Sequence, residues 1–217
     1  MSRGVTYHFK GDKNVSVRKC QGEKIRITVV LGILSKGKKL PPFLIHKSNS
    51  KSQLENNWKH KLIIKHNANG WITEELMLDW IKQVFLNFRV GEDNDDKMVK
   101  YQLFDSCSSH LKVSVKDAVK DSGSLLSIIP PGCTSLLQPL DTSINKPFKD
   151  GIRRKFHAWF ASEGNTEANK TPKGNLRAPS RNLIHRWVVE AWDEVRENDV
   201  FRSFMHCGKL NKRSIDL

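Results

Sequence analysis

The chain has 217 residues, 38% of them hydrophobic, including 6 tryptophans and 10 phenylalanines. That suffices for one good-sized domain with its own core and excludes a disordered chain. Lysine and arginine number 37 against 23 acids, and the net charge of +14 points to a polyanionic partner, most simply nucleic acid. Cys20, Cys107, Cys133 and Cys207 lack C-x-x-C or finger spacing, which argues against zinc and for reduced thiols inside a cell. No signal peptide and no apolar run near membrane-spanning length is apparent.

Residues 1–13 are polar and read as irregular, and Val15 and Val17 alternate with polar residues as in a short strand. Residues 25–34 (IRITVVLGIL) carry the strongest strand signal, β-branched and increasingly apolar. Ser35-Lys36-Gly37-Lys38 is a hairpin turn, with Lys38 and Lys39 read as solvated. Residues 40–46 return as a second strand, whose start Pro41-Pro42 confines to an edge-like or irregular position. Residues 48–57 read as a loop or loose helix, and 61–65 as a short strand. Thr73 is set to cap a helix with Glu74 and Glu75 in its first turn. Leu76, Met77, Trp80, Ile81, Val84, Phe85 and Phe88 share one broad face, the pattern of a core helix. Residues 91–97 are an acidic connector without the alternation of a calcium loop.

The stretch 101–141 organises the rest. Two short apolar runs, 101–104 and 125–129, read as buried strands, and a polar helix over about 111–121 separates them. Strand, helix, strand at this length implies a βαβ unit with parallel pairing. Asp105 stands where the first strand ends, the end at which ligands collect in open α/β sheets. Pro130-Pro131-Gly132 stops the second strand, and Gln138-Pro139-Leu140-Asp141 opens a helical segment. Each aspartate has an ordinary reading, turn former or helix cap, beside the site reading.

Residues 142–163 read as a helix with Ile144, Phe148, Ile152, Phe156 and Trp159/Phe160 on one face. Lys146, Lys149, Arg153, Arg154 and Lys155 lie largely around the remainder, suited to a DNA backbone or to a solvated face. Residues 164–178 read as a flexible basic loop. Residues 179–198 read as a second helix with Pro179 in its first turn, and 200–217 as a tail that keeps Phe201 and Phe204 and fades into polar residues.

The wording of the central stretch, LFDSCSSH followed by IIPPGCTSLLQPLD, resembles the catalytic core of pogo/Tigger/jerky-type DDE transposases. Asp105 and His110 match the family's D-x-x-x-x-H segment. Pro131, Thr134, Ser135, Gln138, Pro139 and Asp141 match its P-x-x-(T/S)-S-x-x-Q-P-x-D segment. Ser203, Phe204, Cys207 and Gly208 match its closing S-F-x-x-C-G. The resemblance runs from about residue 15 to about residue 203. It implies an α/β, ribonuclease H-like mixed sheet flanked by helices, over residues 1–163, with 164–217 as a helical extension of the same domain. It also implies two-metal phosphodiester chemistry with Mg²⁺ or Mn²⁺, DNA as partner, a nuclear setting in a eukaryote, and Asp105 and Asp141 as metal ligands. His110 reads either as a residue that orients the Asp105 loop or approaches a metal-bound phosphate, or as a helix-start residue with a satisfied ring, and a homo-oligomer is left open.

The family uses three acids, the first in a D-E-x-x segment on the first strand. Aligned by the family pattern, that aspartate would fall a few residues before Met1, and Asp12 is the nearest candidate in order. The expectation is therefore an N-terminally truncated domain, lacking most of its first central strand and impaired in catalysis. The alternatives are a domesticated, non-enzymatic DNA-binding or protein-interaction module, or an inactive transposon remnant.

Overall fold

The computed structural model describes residues 27–48, 61–87, 100–172 and 174–208, with only the backbone given for Lys100. The readings of 1–26, 49–60, Phe88, 91–97 and 209–217 lie outside these residues. Strand β1 (Ile27–Val30) pairs antiparallel with β2 (Phe43–Lys47). The turn between them closes through Leu34 N–H donating to Lys38 O at 2.8 Å. Gly37 in this turn has φ 91°, and a Cβ there would sit 3.0 Å from Glu197 O, so the position calls for glycine. The strand expected over 25–34 stops at Val30 in its described part. Beyond it the two arms meet only at the Ile33–Lys39 bridge. Gly32 there lies against Leu40, so closely that a Cβ would come within 2.7 Å of Leu40 Cδ1.

Of the edge-like or irregular start expected at Pro41-Pro42, the irregular one forms, and the strand that follows is not an edge. β2 is the centre of a three-stranded sheet, paired on its other side in parallel with β3 (Ile63–Asn67). Both prolines precede the ladder and withhold no donor from it; Pro42 supplies only its carbonyl, to Ile63 N–H at 3.0 Å. Phe43, Leu44 and Ile45 are fully buried, because β2 is covered on both faces.

On one face lies α1 (Glu74–Trp80), capped by Thr73, whose side chain accepts from Leu76 N–H at 3.3 Å. It continues as a π-type turn, Ile81–Leu86. Leu76, Met77, Trp80, Ile81 and Val84 pack on Leu40, Phe43 and Ile45. The same cluster holds Phe104 of β4 (Lys100–Phe104) and Val115 and Val119 of α2 (Val113–Asp121). Trp80 meets Phe104 edge-on, with centroids 6.2 Å apart. Strand β5 (Ser124–Ile128) pairs with β4 in parallel, Phe104 opposite Ile128, as the βαβ reading requires. The burial expected for both runs holds for one face only. Tyr101 and Leu125, partners in register, are 70% and 53% exposed, because the described residues place no layer over them. Among the described residues β4 and β5 form their own two-stranded sheet beside the three-stranded one.

The opposite face of β2 presents Leu44, which packs with Leu62, Ile144, Phe148, Val188, Val189, Ala191, Trp192, Val195 and Val200. Leu62 precedes β3 and Val195 joins α5 (Arg181–Asp193) to α6 (Glu197–His206); the others come from these two helices, from α4 (Asn145–Trp159) and from the π-type turn Leu140–Ile144 that leads into it. A short helix α3 (Thr134–Leu137) precedes them. Helices thus flank the sheet on both sides, and each fully buried large side chain contributes roughly 1.5–3 kcal/mol.

Four local expectations change. Ser180, the residue after Pro179, caps α5, its side chain accepting from Leu183 N–H at 3.2 Å, so Pro179 stands before the cap rather than in the first turn. The residues read as a fading tail form α6, with Glu197 and Asp199 in its first turn, Asp199 held by Arg196 at 2.8 and 2.9 Å, and Val200 and Ser203 buried. The stretch read as a flexible loop is tied down: Leu176 is buried, and Asn169 Nδ2 donates to Gly164 O at 2.8 Å and Arg177 O at 3.0 Å. Lys39, read as solvated, closes the end of α5 instead. Its ammonium donates to Val195 O at 2.5 Å and to Trp192 O at 2.6 Å, a carbonyl that also accepts from Val195 N–H at 3.2 Å.

Candidate metal and nucleic-acid site

The parallel pairing of β4 and β5 brings two chain exits to one end of a sheet. Ile129 N–H still donates to Phe104 O at 2.8 Å, so the chain leaving β5 passes beside the residue that precedes Asp105. Asp105 then turns the chain. Its Oδ1 accepts from Cys107 N–H at 3.1 Å and from His110 Nδ1 at 2.7 Å. The turn-former reading is therefore correct for one oxygen; Oδ2 takes no bond from the described residues. His110 is held further by its ring, which packs tilted at 33° against Phe104 with centroids 4.8 Å apart. The carboxyl of Asp105 is partly open, at 36% side-chain exposure, and His110 less so, at 16%.

From Ile129 the chain runs through the Pro130-Pro131-Gly132 turn and α3 to Gln138, whose carbonyl accepts from Asp141 N–H at 3.0 Å and Thr142 N–H at 3.1 Å. Asp141 does not act as a helix cap. It lies inside the π-type turn ahead of α4, exposed, with Oδ1 accepting from Asn145 Nδ2 at 2.6 Å. Asp141, like Asp105, keeps one carboxylate oxygen without a partner among the described residues. Two hard oxygen donors of this kind fit part of the ligand set of Mg²⁺ or Mn²⁺. Among the described residues no group of three or more His, Cys, Asp or Glu is placed to hold an ion.

The five basic residues assigned to DNA divide. Lys146 and Lys149, in the first turns of α4, are exposed and meet no acid among the described residues. The others are engaged: Arg153 with Asp150 at 2.7 Å, Arg154 with Glu194 at 2.8 Å, and Lys155 with Glu190 at 3.0 Å and Glu194 at 2.9 Å. The Glu194 bond raises the Lys155 ammonium above its ordinary range, and Lys155 lowers the Glu194 carboxyl in return. The Arg154 and Lys155 pairs fasten α4 to the end of α5, and the Arg153 pair lies within α4.

One cluster had no signature in the sequence. His46 Nε2 lies 2.7 Å from His185 Nε2, both rings fully buried, and His66 stacks on His46 with centroids 5.4 Å apart. Burial is the first cause that lowers His46 and His185 to about 4, with neighbouring positive charge, Arg181 included, adding to it. The 139 residues between the two rings in the chain leave nothing for spacing to reveal.

Comparison with known proteins adds an independent line. The profile of a family described as DDE superfamily endonuclease matches residues 24–204. Two proteins described as pogo transposable element with KRAB domain, from Mus musculus and Homo sapiens, are each 30% identical over 203 residues. Those matches cover 94% of this chain and 32% of each relative. A Homo sapiens protein described as pogo transposable element with ZNF domain is 25% identical over 128 residues, 59% of this chain and 9% of its own. The chain thus spans about a third of the length of the first two relatives.

Proposed function

The chain belongs to the DDE superfamily endonuclease family, and from that premise we propose that it acts on DNA phosphodiesters, with Asp105 and Asp141 as ligands for Mg²⁺ or Mn²⁺. The observation that carries the reading is Asp105 at the end of β4 and Asp141 in the turn ahead of α4, each with one carboxylate oxygen free of protein partners among the described residues. Held by Asp105 and Asp141, such ions would supply activation of the attacking oxygen and neutralisation of charge on the leaving one. The chain's own part is to hold the carboxylates. The Cys107 amide and His110 occupy Asp105 Oδ1 and leave Oδ2 without a partner among the described residues; Asn145 does the same for Asp141. Lys146 and Lys149 then meet the phosphates flanking the scissile bond, and Arg153, Arg154 and Lys155 serve in second place through their acid partners. The ribonuclease H-like arrangement belongs to this proposal. It puts a further strand between β1 and β4, and β1 and β4 each have a hydrogen-bonded neighbour on one side only among the described residues. A nuclear setting follows from the same reading.

Of the three acids the family uses, two are matched here. The 217-residue chain tested alone is expected to bind DNA with little sequence preference and to leave supercoiled plasmid uncut in Mg²⁺ or Mn²⁺. A non-enzymatic DNA-associated module is the second reading, favoured by the absence of a third ligand grouped with the two aspartates among the described residues. Isothermal titration with Mn²⁺ separates the two. Binding that Asp105→Asn and Asp141→Asn each abolish supports the metal site; DNA binding with no Mn²⁺ uptake selects the module. Nicking by this chain that Asp105→Asn abolishes would refute the expectation that it does not cut alone.

A further inference from the structure

We infer that α2 carries a second track for the DNA backbone, formed by Lys112, Lys116 and Lys120; the inference rests on the DNA-binding reading above. All three are exposed, and none meets an acid within ion-pair distance among the described residues. They recur every four positions, so they advance together along one flank of the helix while drifting slowly around it. The buried residues Val115 and Val119 hold the adjoining flank on the core. Asp117 and Asp121 are exposed as well, but at helical periodicity they fall to the other side of the exposed face from Lys116. Ser114, on the flank toward α1, donates to Glu74, which occupies that acid away from the lysines.

Topology gives the stripe its direction. β4 runs toward Asp105, and α2 must run back before β5 can start opposite the beginning of β4, as the pairing of Lys100 with Ser124 requires. Lys112 is therefore at the carboxylate end, with Lys116 and Lys120 about 6 and 12 Å farther from it at 1.5 Å per residue. A duplex carries one phosphate per roughly 3.4 Å of axis on each strand, so three cations over about 12 Å can follow one strand away from the Asp105 turn. Lysine suits this task, since its ammonium needs no fixed fork geometry to meet a phosphate. The track and the α4 pair, Lys146 and Lys149, then approach the two carboxylates from the two elements that follow them in the chain.

The test is the salt dependence of duplex binding, read by fluorescence anisotropy on the 217-residue chain. Each lost phosphate contact makes the slope of log K against log salt shallower by about 0.9. The variant Lys112→Gln/Lys116→Gln/Lys120→Gln should lose about 2.7 units of slope. A charge-matched control, Lys47→Gln/Arg186→Gln/Arg202→Gln, takes exposed cations from β2, α5 and α6 and should lose less than about 1 unit. Circular dichroism should show both variants folded as the parent is. Equal losses in the two variants, or no loss in the α2 variant, would overturn the track while leaving DNA binding in place. No binding by the parent chain would overturn the DNA reading itself and the track with it.

Discussion

Lowering the pH from 7 to 5 should remove about 2–4 kcal/mol from the stability of this fold, a loss centred on His46 and His185. Their Nε2 atoms are 2.7 Å apart, so one neutral ring donates and the other accepts. Neither ring is solvent-exposed, and His185 Nδ1 has no partner, so an added proton would find neither water nor carboxylate. The remaining groups facing the pair are His66 and Arg181, which repel a positive charge. The folded chain therefore holds both rings at about 4 against 6.5 for the free side chain. The unfolded chain binds more protons between those values, so stability is full above pH 6.5 and falls as pH drops toward 4. At pH 5 one such ring costs about 2 kcal/mol, and coupling between the two keeps the total near 2–4 rather than a strict doubling. That is a large share of the roughly 5–15 kcal/mol a domain has. Urea unfolding at pH 7 and pH 5 measures it, a range in which ordinary carboxylates stay mostly ionised. The variant His46→Leu/His185→Leu should flatten the dependence. A parent chain that loses less than about 0.5 kcal/mol over this range, or a double variant that loses as much as the parent, would refute the reasoning.

Replacing Gly32 by alanine forces a methyl to within 2.7 Å of Leu40 Cδ1 and 3.1 Å of Trp80 Cζ2, and thermal melts should show about 1–3 kcal/mol of destabilisation. Lys39→Met removes the donor that serves the Trp192 and Val195 carbonyls, and the same melts should register about 1–3 kcal/mol, with α5 losing amide-exchange protection first. Glu194→Gln weakens the hold on Arg154 and Lys155, and anisotropy should show tighter duplex binding with a salt slope steeper by up to about 2 units.

The sequence was most legible where local chemistry decides. Thr73 caps α1 because hydroxyl and periodicity are both local, and β4–α2–β5 formed as a parallel unit because its length permits little else. The placement of Asp105 at the end of β4 could be read the same way, since Phe104 and the polar run after it mark the strand end. Partnering across the chain was not legible. Nothing near Pro41-Pro42 says that β3 will pair from beyond a separate segment and make β2 central. The charge count showed five cations around α4, but not the acids of α5 that engage two of them. The helix over Glu197–His206 was missed because its apolar content is low, and its support is Val200 reaching a core built by distant residues. Tyr101 and Leu125 misled in the opposite sense: β-propensity marks a strand without saying which face is covered.

The central claim is that Asp105 and Asp141 converge on a shared divalent cation. An anomalous difference map from crystals of this chain grown with Mn²⁺ tests it most directly. The account predicts a peak in direct coordination distance of Asp105 Oδ2 and of Asp141, lost in crystals of Asp105→Asn. Mn²⁺ bound elsewhere, with the two carboxylates on opposite sides of the domain, would contradict it.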